Sequence, residues 1–257
     1  MKRIPSLRLV LAALAVGLFW AAAPGLAAEK SPAQATLDAL SAPEPPVFTR
    51  AEGAEEALDI LGKVRERHKG VALCARFTQV SVLSGMGMED EASGNACFQY
   101  PDKMRWSYEQ PESQLVVSDG MTFWIYRPAD RQAMKGDAEK IMGPGQGGSF
   151  LSDPAVLSKN FTVTMAPDDW VKKHGRPETW ALKLVPKKPR PEFSELYLFV
   201  DKGSYRIQGS VSFNPYGDWT RILFSEFAVT PGLGPESFSF TPPPGTDVAG
   251  MDGSESF

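Results

Sequence analysis

A period-two pattern of large side chains in the middle of the sequence constrains the fold more than any other feature. The segment KMRWSYEQPESQLVVSDGMTFWIYRP, residues 103–128, alternates aromatic or aliphatic residues with polar ones in short runs. Such runs predict β-strands, and Asp119-Gly120 between two of them predicts a tight hairpin, because both central residues of that turn adopt positive φ. Strands joined by turns this short pair antiparallel.

The same pattern divides the chain into two series of candidate strands. The first series is 71–83, 91–100, 103–109, 113–118 and 121–126; the second is 160–165, 178–186, 193–201, 204–213 and 218–229, with a short last strand at 237–240. Between them, the segment from Asp130 to Lys159 is interrupted by Gly and Pro and contains short helical pieces. We expect one continuous antiparallel sheet with a helical insertion.

An amphipathic helix precedes the first strand. Residues 54–70, AEEALDILGKVRERHKG, place Leu58, Leu61 and either Val64 or Arg65 at helical spacing. Acidic residues lie in the first turn and basic residues in the last, and Gly70 ends the segment.

Apolar side chains on both faces of the strands leave two architectures open. Phe123 and Ile125 point to one side of their strand, and Trp124 and Tyr126 point to the other. A sheet covered on one face only would alternate apolar with polar residues. The residues are compatible with a β-sandwich or barrel with helices over one side, and with a sheet curled around an apolar cavity.

The N-terminus has the pattern of a secretory signal peptide. Basic residues in MKRIPSLR precede the apolar run 9–20, and small residues follow up to Ala27 and Ala28, where we expect cleavage. The run is shorter than the about 20 residues that span a bilayer. The expected organisation is a signal peptide at 1–28, a flexible Pro- and Ala-rich leader at 29–50, a folded domain at 51–250 and a flexible tail at 251–257.

Two cysteines lie in neighbouring candidate strands of a chain that is expected to be exported. A hairpin that pairs Cys74 with Cys97 is centred between Gly85 and Met86, inside the connection SGMGMED. Both sulfurs would leave the face opposite Phe77, and a disulfide closing a loop of about 20 residues would contribute roughly 3 kcal/mol. Two separate buried thiols are the alternative.

The sequence contains no pattern typical of an enzyme. The net charge is −4 with dispersed Lys and Arg, which argues against a nucleic-acid partner. His68 and His174 have no Cys, Asp or Glu at ligand spacing, and we expect both to be solvated. No nucleophile-elbow or P-loop motif occurs, and no G-x-G-x-x-G follows a predicted strand. We therefore predict a protein that is not an enzyme and needs no metal or cofactor.

A set of short motifs resembles one known family. In order along the chain they are FTQ (77–79), SG (93–94), P-x-KMRWSY (101–108), PE (111–112), VSDG (117–120), WIY-x-P (124–128), YRIQGSVSFNPYGDWTRILFSEF (205–227) and FSFTPPPGTDV (238–248). Their number and order are similar to those of the periplasmic outer-membrane lipoprotein carrier family LolA. The similarity runs from about residue 54 to 248.

The resemblance implies an α+β fold that is mostly antiparallel β, an incomplete and strongly curved β-barrel (half-barrel) with a helical lid over an apolar cavity. It also implies a monomeric periplasmic carrier that takes lipid-modified lipoproteins from an ATP-driven inner-membrane complex to an outer-membrane acceptor. Exposing about ten CH₂ groups to water costs roughly 8 kcal/mol, so such a ligand needs shielding. Carriage of another lipid, such as a glycolipid or terpenoid, and a sensor of mislocalised lipoproteins are the alternatives. A sensor would usually carry a further domain, and we expect none here.

The resemblance and the strand parity together predict the site residues. The cavity is expected to be lined by Phe77, Phe98, Met104, Trp106, Tyr108, Phe123, Ile125 and Leu223. The lid is expected to contain Met134, Ile141, Met142, Phe150, Leu151 and Leu157. Tyr100, which stands where many relatives have a basic residue, and Arg105 are candidates for holding the lid. If cavity side chains lack close partners, Trp106→Ala should severely weaken acyl-chain binding with little change in stability.

Overall fold

The computed structural model describes residues 53–142, 154–189, 194–229 and 233–251. The expected signal peptide, the leader and nearly all of the tail lie outside these ranges, as do Phe150 and Leu151 of the expected lid.

Twelve described strands form one sheet. Their bounds are β1 Ala72–Leu83, β2 Met88–Gln99, β3 Lys103–Gln110, β4 Gln114–Asp119, β5 Thr122–Arg127, β6 Gln132–Asp137, β7 Phe161–Met165, β8 Thr179–Pro186, β9 Glu195–Asp201, β10 Ile207–Phe213, β11 Trp219–Val229 and β12 Asp247–Gly250. The sheet order is β12-β6-β5-β4-β3-β2-β1-β11-β10-β9-β8-β7. Two antiparallel meanders are thus joined where β1 pairs with β11, and β12 pairs parallel with β6.

Four helices are described: α1 Ala54–His68, α2 Ala138–Met142, α3 Pro154–Asn160 and α4 Asp168–His174. In α1, acidic residues in the first turn and basic residues in the last complement the helix dipole. Its buried residues are Ala57, Ile60, Leu61, Val64 and His68. The predicted place of Leu58 in the apolar stripe is wrong: its side chain is 46% exposed, because the buried stripe runs through Ala57 and Ile60 instead.

The sheet has two faces with separate hydrophobic clusters. The inner face carries the larger cluster, which extends from Phe123 on β5 to Phe161 on the edge strand β7 and includes buried residues of α1, α2 and α3. The outer face carries a smaller cluster, in which Trp170 of α4 stacks on Tyr197 with ring centroids 3.9 Å apart. Apolar cover on both faces explains why β8 and β9 contain runs of buried residues. The expected fold is confirmed as an open, curved antiparallel sheet with helices over its inner face.

Three elements differ from the sequence prediction. Residues 132–137, expected within a helical insertion, form β6. Residues 168–174, for which no helix was predicted, form α4. The predicted last strand at 237–240 is wrong: Pro235–Phe238 form a 3-10 helix, because a proline at its start supplies a fixed φ and no N–H, and β12 follows at Asp247–Gly250.

The first hairpin has the predicted register. Cys74 pairs with Cys97 and Leu83 with Met88 around a short 3-10 turn, Ser84–Met86. The two cysteines form a disulfide with Cα atoms 4.0 Å apart, as predicted. Since all paired positions of β1 and β2 share this register, the disulfide fixes the alignment of the two strands at the centre of the sheet.

Candidate functional site

Trp106 lies at the centre of the inner cluster and is fully buried. Its ring centroid is 4.8 Å from that of Phe77, 5.5 Å from Phe98 and 5.8 Å from Phe224. Small residues make room for the indole, since Ala96 pairs with Trp106 across β2 and β3 and Ala75 follows in the same row. The centre of the inner face is therefore an aromatic cluster built around one tryptophan.

The predicted parity of β3 is confirmed. Met104, Trp106 and Tyr108 are at most 4% exposed and belong to the inner cluster, whereas the intervening residues point to the outer face. Four further expected lining residues also reach the inner cluster: Phe77, Phe98 and Phe123 are buried in it, and Ile125 packs against it. Strand parity alone thus found most of this surface.

The prediction that Leu223 lines the inner face is wrong. It packs against the outer cluster with Trp219, while its neighbours Ile222 and Phe224 are buried in the inner cluster. Phe227 also reaches the inner cluster, although it shares the parity of Leu223. A β-bulge explains the position of Phe227. Glu226 has φ 51°, and the pairing with β1 shifts there, so the alternation of β11 reverses beyond it.

The expected lid is described in part. Met142 and Leu157 are buried in the inner cluster, and Ile141 packs against it. Met134 does not lie on a helix: it is on β6, opposite Ile125. We call α1, α2 and α3 the helical cover, because their buried side chains close the inner face.

Tyr100 contacts the end of the helical cover, and Arg105 does not. The ring of Tyr100 lies edge-on to the imidazole of His68, the last residue of α1. Arg105 is on the outer face, where its guanidinium donates a hydrogen bond to the carbonyl of Ser237 at 3.3 Å. The expectation that Arg105 holds the lid is wrong, because strand parity places it on the face opposite the helical cover, where it contacts the C-terminal segment instead.

A small cavity lies in the described part of the interior. A cavity of about 10 Å³, room for about one water molecule, lies among apolar side chains at the His68 end of α1. It is lined by His68, Leu73, Ala75, Phe98, Tyr100, Ile207, Phe224 and Phe227. Side chains that were expected to border an open cavity therefore have close partners here, and the expectation that Trp106→Ala leaves stability nearly unchanged loses its premise.

A chain of polar side chains continues the inner face beside the aromatic cluster, and sequence reasoning missed it. The Tyr108 hydroxyl donates to Gln79 Oε1 at 3.2 Å, Gln79 Nε2 donates to Ser81 Oγ at 3.2 Å, and Ser81 Oγ is 3.1 Å from Thr220 Oγ1. Burial raises the pKa of Tyr108 well above its usual range, so the hydroxyl remains a donor. The sequence did indicate that Gln79 and Ser81 share a strand face with Phe77, because the three residues occupy alternate positions of β1.

The two histidines are buried, so the expectation that they are solvated is wrong. His68 is 3% exposed and its Nδ1 lies 2.7 Å from the Val64 carbonyl; His174 is 8% exposed and packs on Trp170. Burial is the main cause of a lowered pKa in both, and it brings that of His174 to about 4. Tyr100 covers the imidazole of His68, and Trp170 covers that of His174. The sequence spacing did not indicate either contact.

The described ranges contain neither a metal-binding cluster nor a membrane-spanning helix. No group of three or more His, Cys, Asp and Glu side chains in these ranges is placed to hold a metal ion. Within the same part of the chain, no helix has the length and apolar character needed to cross a membrane.

Comparison with known proteins gives matches across most of the chain. The family model described as "Outer membrane lipoprotein carrier protein LolA" matches residues 69–241. An "Outer-membrane lipoprotein carrier protein" of Dechloromonas aromatica is 30% identical over 206 residues, which cover 80% of this chain and 91% of that protein. One of the same name from Chromobacterium violaceum is 34% identical over 183 residues, covering 70% and 82%.

A solved structure has the same fold at low sequence identity. An uncharacterized conserved protein from Thermus thermophilus matches with a TM-score of 0.50 and 15% identity, covering 76% of this chain and 99% of that one. The family match spans more than half of the chain and includes β1, β2, β3 and β11, whose side chains build the aromatic cluster. The chain therefore belongs to the LolA family of outer membrane lipoprotein carrier proteins.

Proposed function

We propose that this protein is a periplasmic carrier that binds the acyl chains of lipoproteins between the inner face of its sheet and the helical cover. The observation that carries the proposal is the aromatic cluster around Trp106, which is closed by short helices in a chain of the LolA family. Each CH₂ group moved from water into such a surface contributes about 0.8 kcal/mol, so one long acyl chain supplies a large driving force.

Binding at the aromatic cluster requires a conformational change. Trp106, Phe77 and Phe123 are buried beneath the helical cover, so an acyl chain would reach them only after the cover moves away from the sheet. The cover consists of one 15-residue helix and two short ones, of 5 and 7 residues, which reach the inner cluster through Met142 and Leu157. Acyl chains would replace the cover's side chains on the aromatic cluster, so loading would restore the apolar burial that opening removes.

The proposed place in transport rests on membership of the LolA family. An exported carrier of this kind takes its ligand from an ATP-driven inner-membrane complex and delivers it to an outer-membrane acceptor, acting as a monomer and without catalysis, metal or cofactor. The signal-peptide pattern at residues 1–28, with cleavage near Ala27 or Ala28, supports export.

Binding of a synthetic triacylated lipopeptide tests the proposal. The purified protein should form a complex with a fluorescent lipopeptide that survives gel filtration, and should not retain the same peptide without acyl groups. Retention of neither peptide, or of both equally, would contradict the proposal.

Mass spectrometry of protein purified from the periplasm separates the proposal from its alternative. Lipoproteins should co-purify with the protein. A glycolipid or terpenoid in their place would indicate a carrier of another lipid with the same fold.

A further inference from the structure

One polar atom in the aromatic cluster is left without a partner. The indole Nε1 of Trp106 is buried, and it has no hydrogen-bond acceptor among the described residues. The residue itself is 0% exposed, so bulk water does not reach the N–H group in the closed state. A buried donor without an acceptor is unfavourable, and most such groups in proteins are satisfied.

The neighbouring polar groups do not satisfy it. In the buried polar chain, Tyr108 and Gln79 bond to each other and onward to Ser81, not to the indole. The rings around the indole are those of Phe77, Phe98 and Phe224, which have no oxygen, and that of Tyr108, whose hydroxyl does not bond to Nε1. Within the described ranges, the aromatic cluster therefore contains a free donor at its centre.

A ligand entering beneath the helical cover would reach this donor. Phe98 and Phe224 both line the small cavity next to His68, and both rings also contact the Trp106 ring. Displacement of these two phenylalanines would connect the cavity to the indole. Any acceptor that arrives with an apolar ligand could then bond to Nε1.

The surroundings decide which acceptor fits. The inner cluster consists of apolar and aromatic side chains, and a carboxylate placed there would lose its hydration without gaining a cation. A neutral carbonyl oxygen needs one donor and little else. Esters and amides that link acyl chains to a head group carry this oxygen at the end of the chain.

We propose that the indole N–H of Trp106 donates a hydrogen bond to the ester or amide carbonyl of a bound acyl group, and so selects acyl over alkyl chains. This inference rests on the proposed function, because it concerns a ligand held in the same interior. A net hydrogen bond of ordinary strength corresponds to about a tenfold difference in affinity.

A matched pair of lipopeptides tests it. One carries two palmitoyl ester chains on its glyceryl group, and the other carries two hexadecyl ether chains, which lack the carbonyl oxygens. Wild-type protein should bind the ester about tenfold more tightly. Protein with Trp106 replaced by 3-benzothienylalanine, in which sulfur stands in place of the N–H group, should bind the two with equal affinity.

Trp219 supplies the control. Its indole nitrogen is also buried without a partner among the described residues, but it lies in the outer cluster. The same replacement at Trp219 should leave the ester preference unchanged. Loss of the preference there, its persistence in the Trp106 protein, or equal binding of both lipopeptides by wild type would overturn the inference while leaving the carrier function standing. Binding of neither lipopeptide would overturn both.

Discussion

The ring of Tyr100 lies edge-on to the imidazole of His68, with ring centroids 5.0 Å apart. Tyr100 follows β2, and His68 is the last residue of α1, so this contact joins the sheet to the end of the longest helix of the cover. An adjacent backbone bridge between Lys69 and Tyr100 reinforces the junction. These contacts between Tyr100 and the end of α1 oppose the movement of the cover away from the sheet.

We expect Tyr100→Ala to loosen the cover. An aromatic pair contributes about 0.5–1.5 kcal/mol beyond its buried area, so the open state should become several-fold more populated. Amide hydrogen exchange in the last turns of α1 should become faster by a similar factor. Tyr126→Ala, on the outer face against Phe240, is the matched control and should not affect α1. Unchanged exchange in α1 would show that Tyr100 does not hold the cover.

His174 should make stability depend on pH. Its pKa is lowered from 6.5 to about 4 by burial and by the nearby Lys173 and Arg221. Between these values the unfolded chain binds a proton that the folded protein does not, so the free energy of unfolding should fall as the pH drops from about 6.5 to about 4. His174→Gln should reduce that slope in urea titrations at several pH values. Parallel curves for the two proteins would contradict the assignment.

Reduction of the Cys74–Cys97 disulfide should destabilise the protein. The two residues are 23 positions apart, and cross-linking a loop of that size contributes about 3 kcal/mol in the chain-entropy picture. We expect the double variant with Ser at both positions to unfold at a correspondingly lower urea concentration. Wild type denatured without reductant should show no reactive thiols; two thiols per chain would contradict the pairing.

Trp106→Ala should be strongly destabilising in the closed state. A fully buried tryptophan truncated to alanine costs about 3–5 kcal/mol, because the surrounding rings cannot fill the space. Trp124→Ala, whose half-buried side chain lies on the other face, should cost less. A similar urea midpoint for Trp106→Ala and wild type would show that the interior is looser than the packing indicates.

Sequence reasoning found the strands whose side chains alternate strongly, and it missed those whose pattern is weak. Strand β3 was predicted because large apolar residues occupy every second position, and the turn between β4 and β5 was predicted from Asp119-Gly120, of which only Gly120 has a positive φ. Strand β6, QAMKGD, contains one small buried residue, Ala133, and pairs through its backbone with β5. Tertiary pairing rather than local preference makes it a strand.

The residues of the candidate site were also predicted in part, and the errors there have a different cause. Parity placed Met104, Trp106 and Tyr108 correctly. On β11 it failed, because apolar side chains lie on both faces of that strand and because the alternation reverses beyond the bulge at Glu226. A bulge depends on pairing with a distant strand, so the sequence of β11 alone does not reveal it. The polar chain from Tyr108 to Thr220 likewise depends on contacts between strands far apart in sequence.

Neighbouring residues on β11 offer the sharpest test of the proposed interior. Phe224 is buried in the inner cluster and Leu223 packs on the outer one, so a photo-crosslinking amino acid at each position samples opposite faces of one strand. With p-benzoylphenylalanine at 224 or at 223, the protein is loaded with a triacylated lipopeptide and irradiated. The account predicts a crosslinked lipid adduct from position 224 and none from position 223. Adducts from 223, with none from 224 in a folded and lipid-loaded protein, would contradict it.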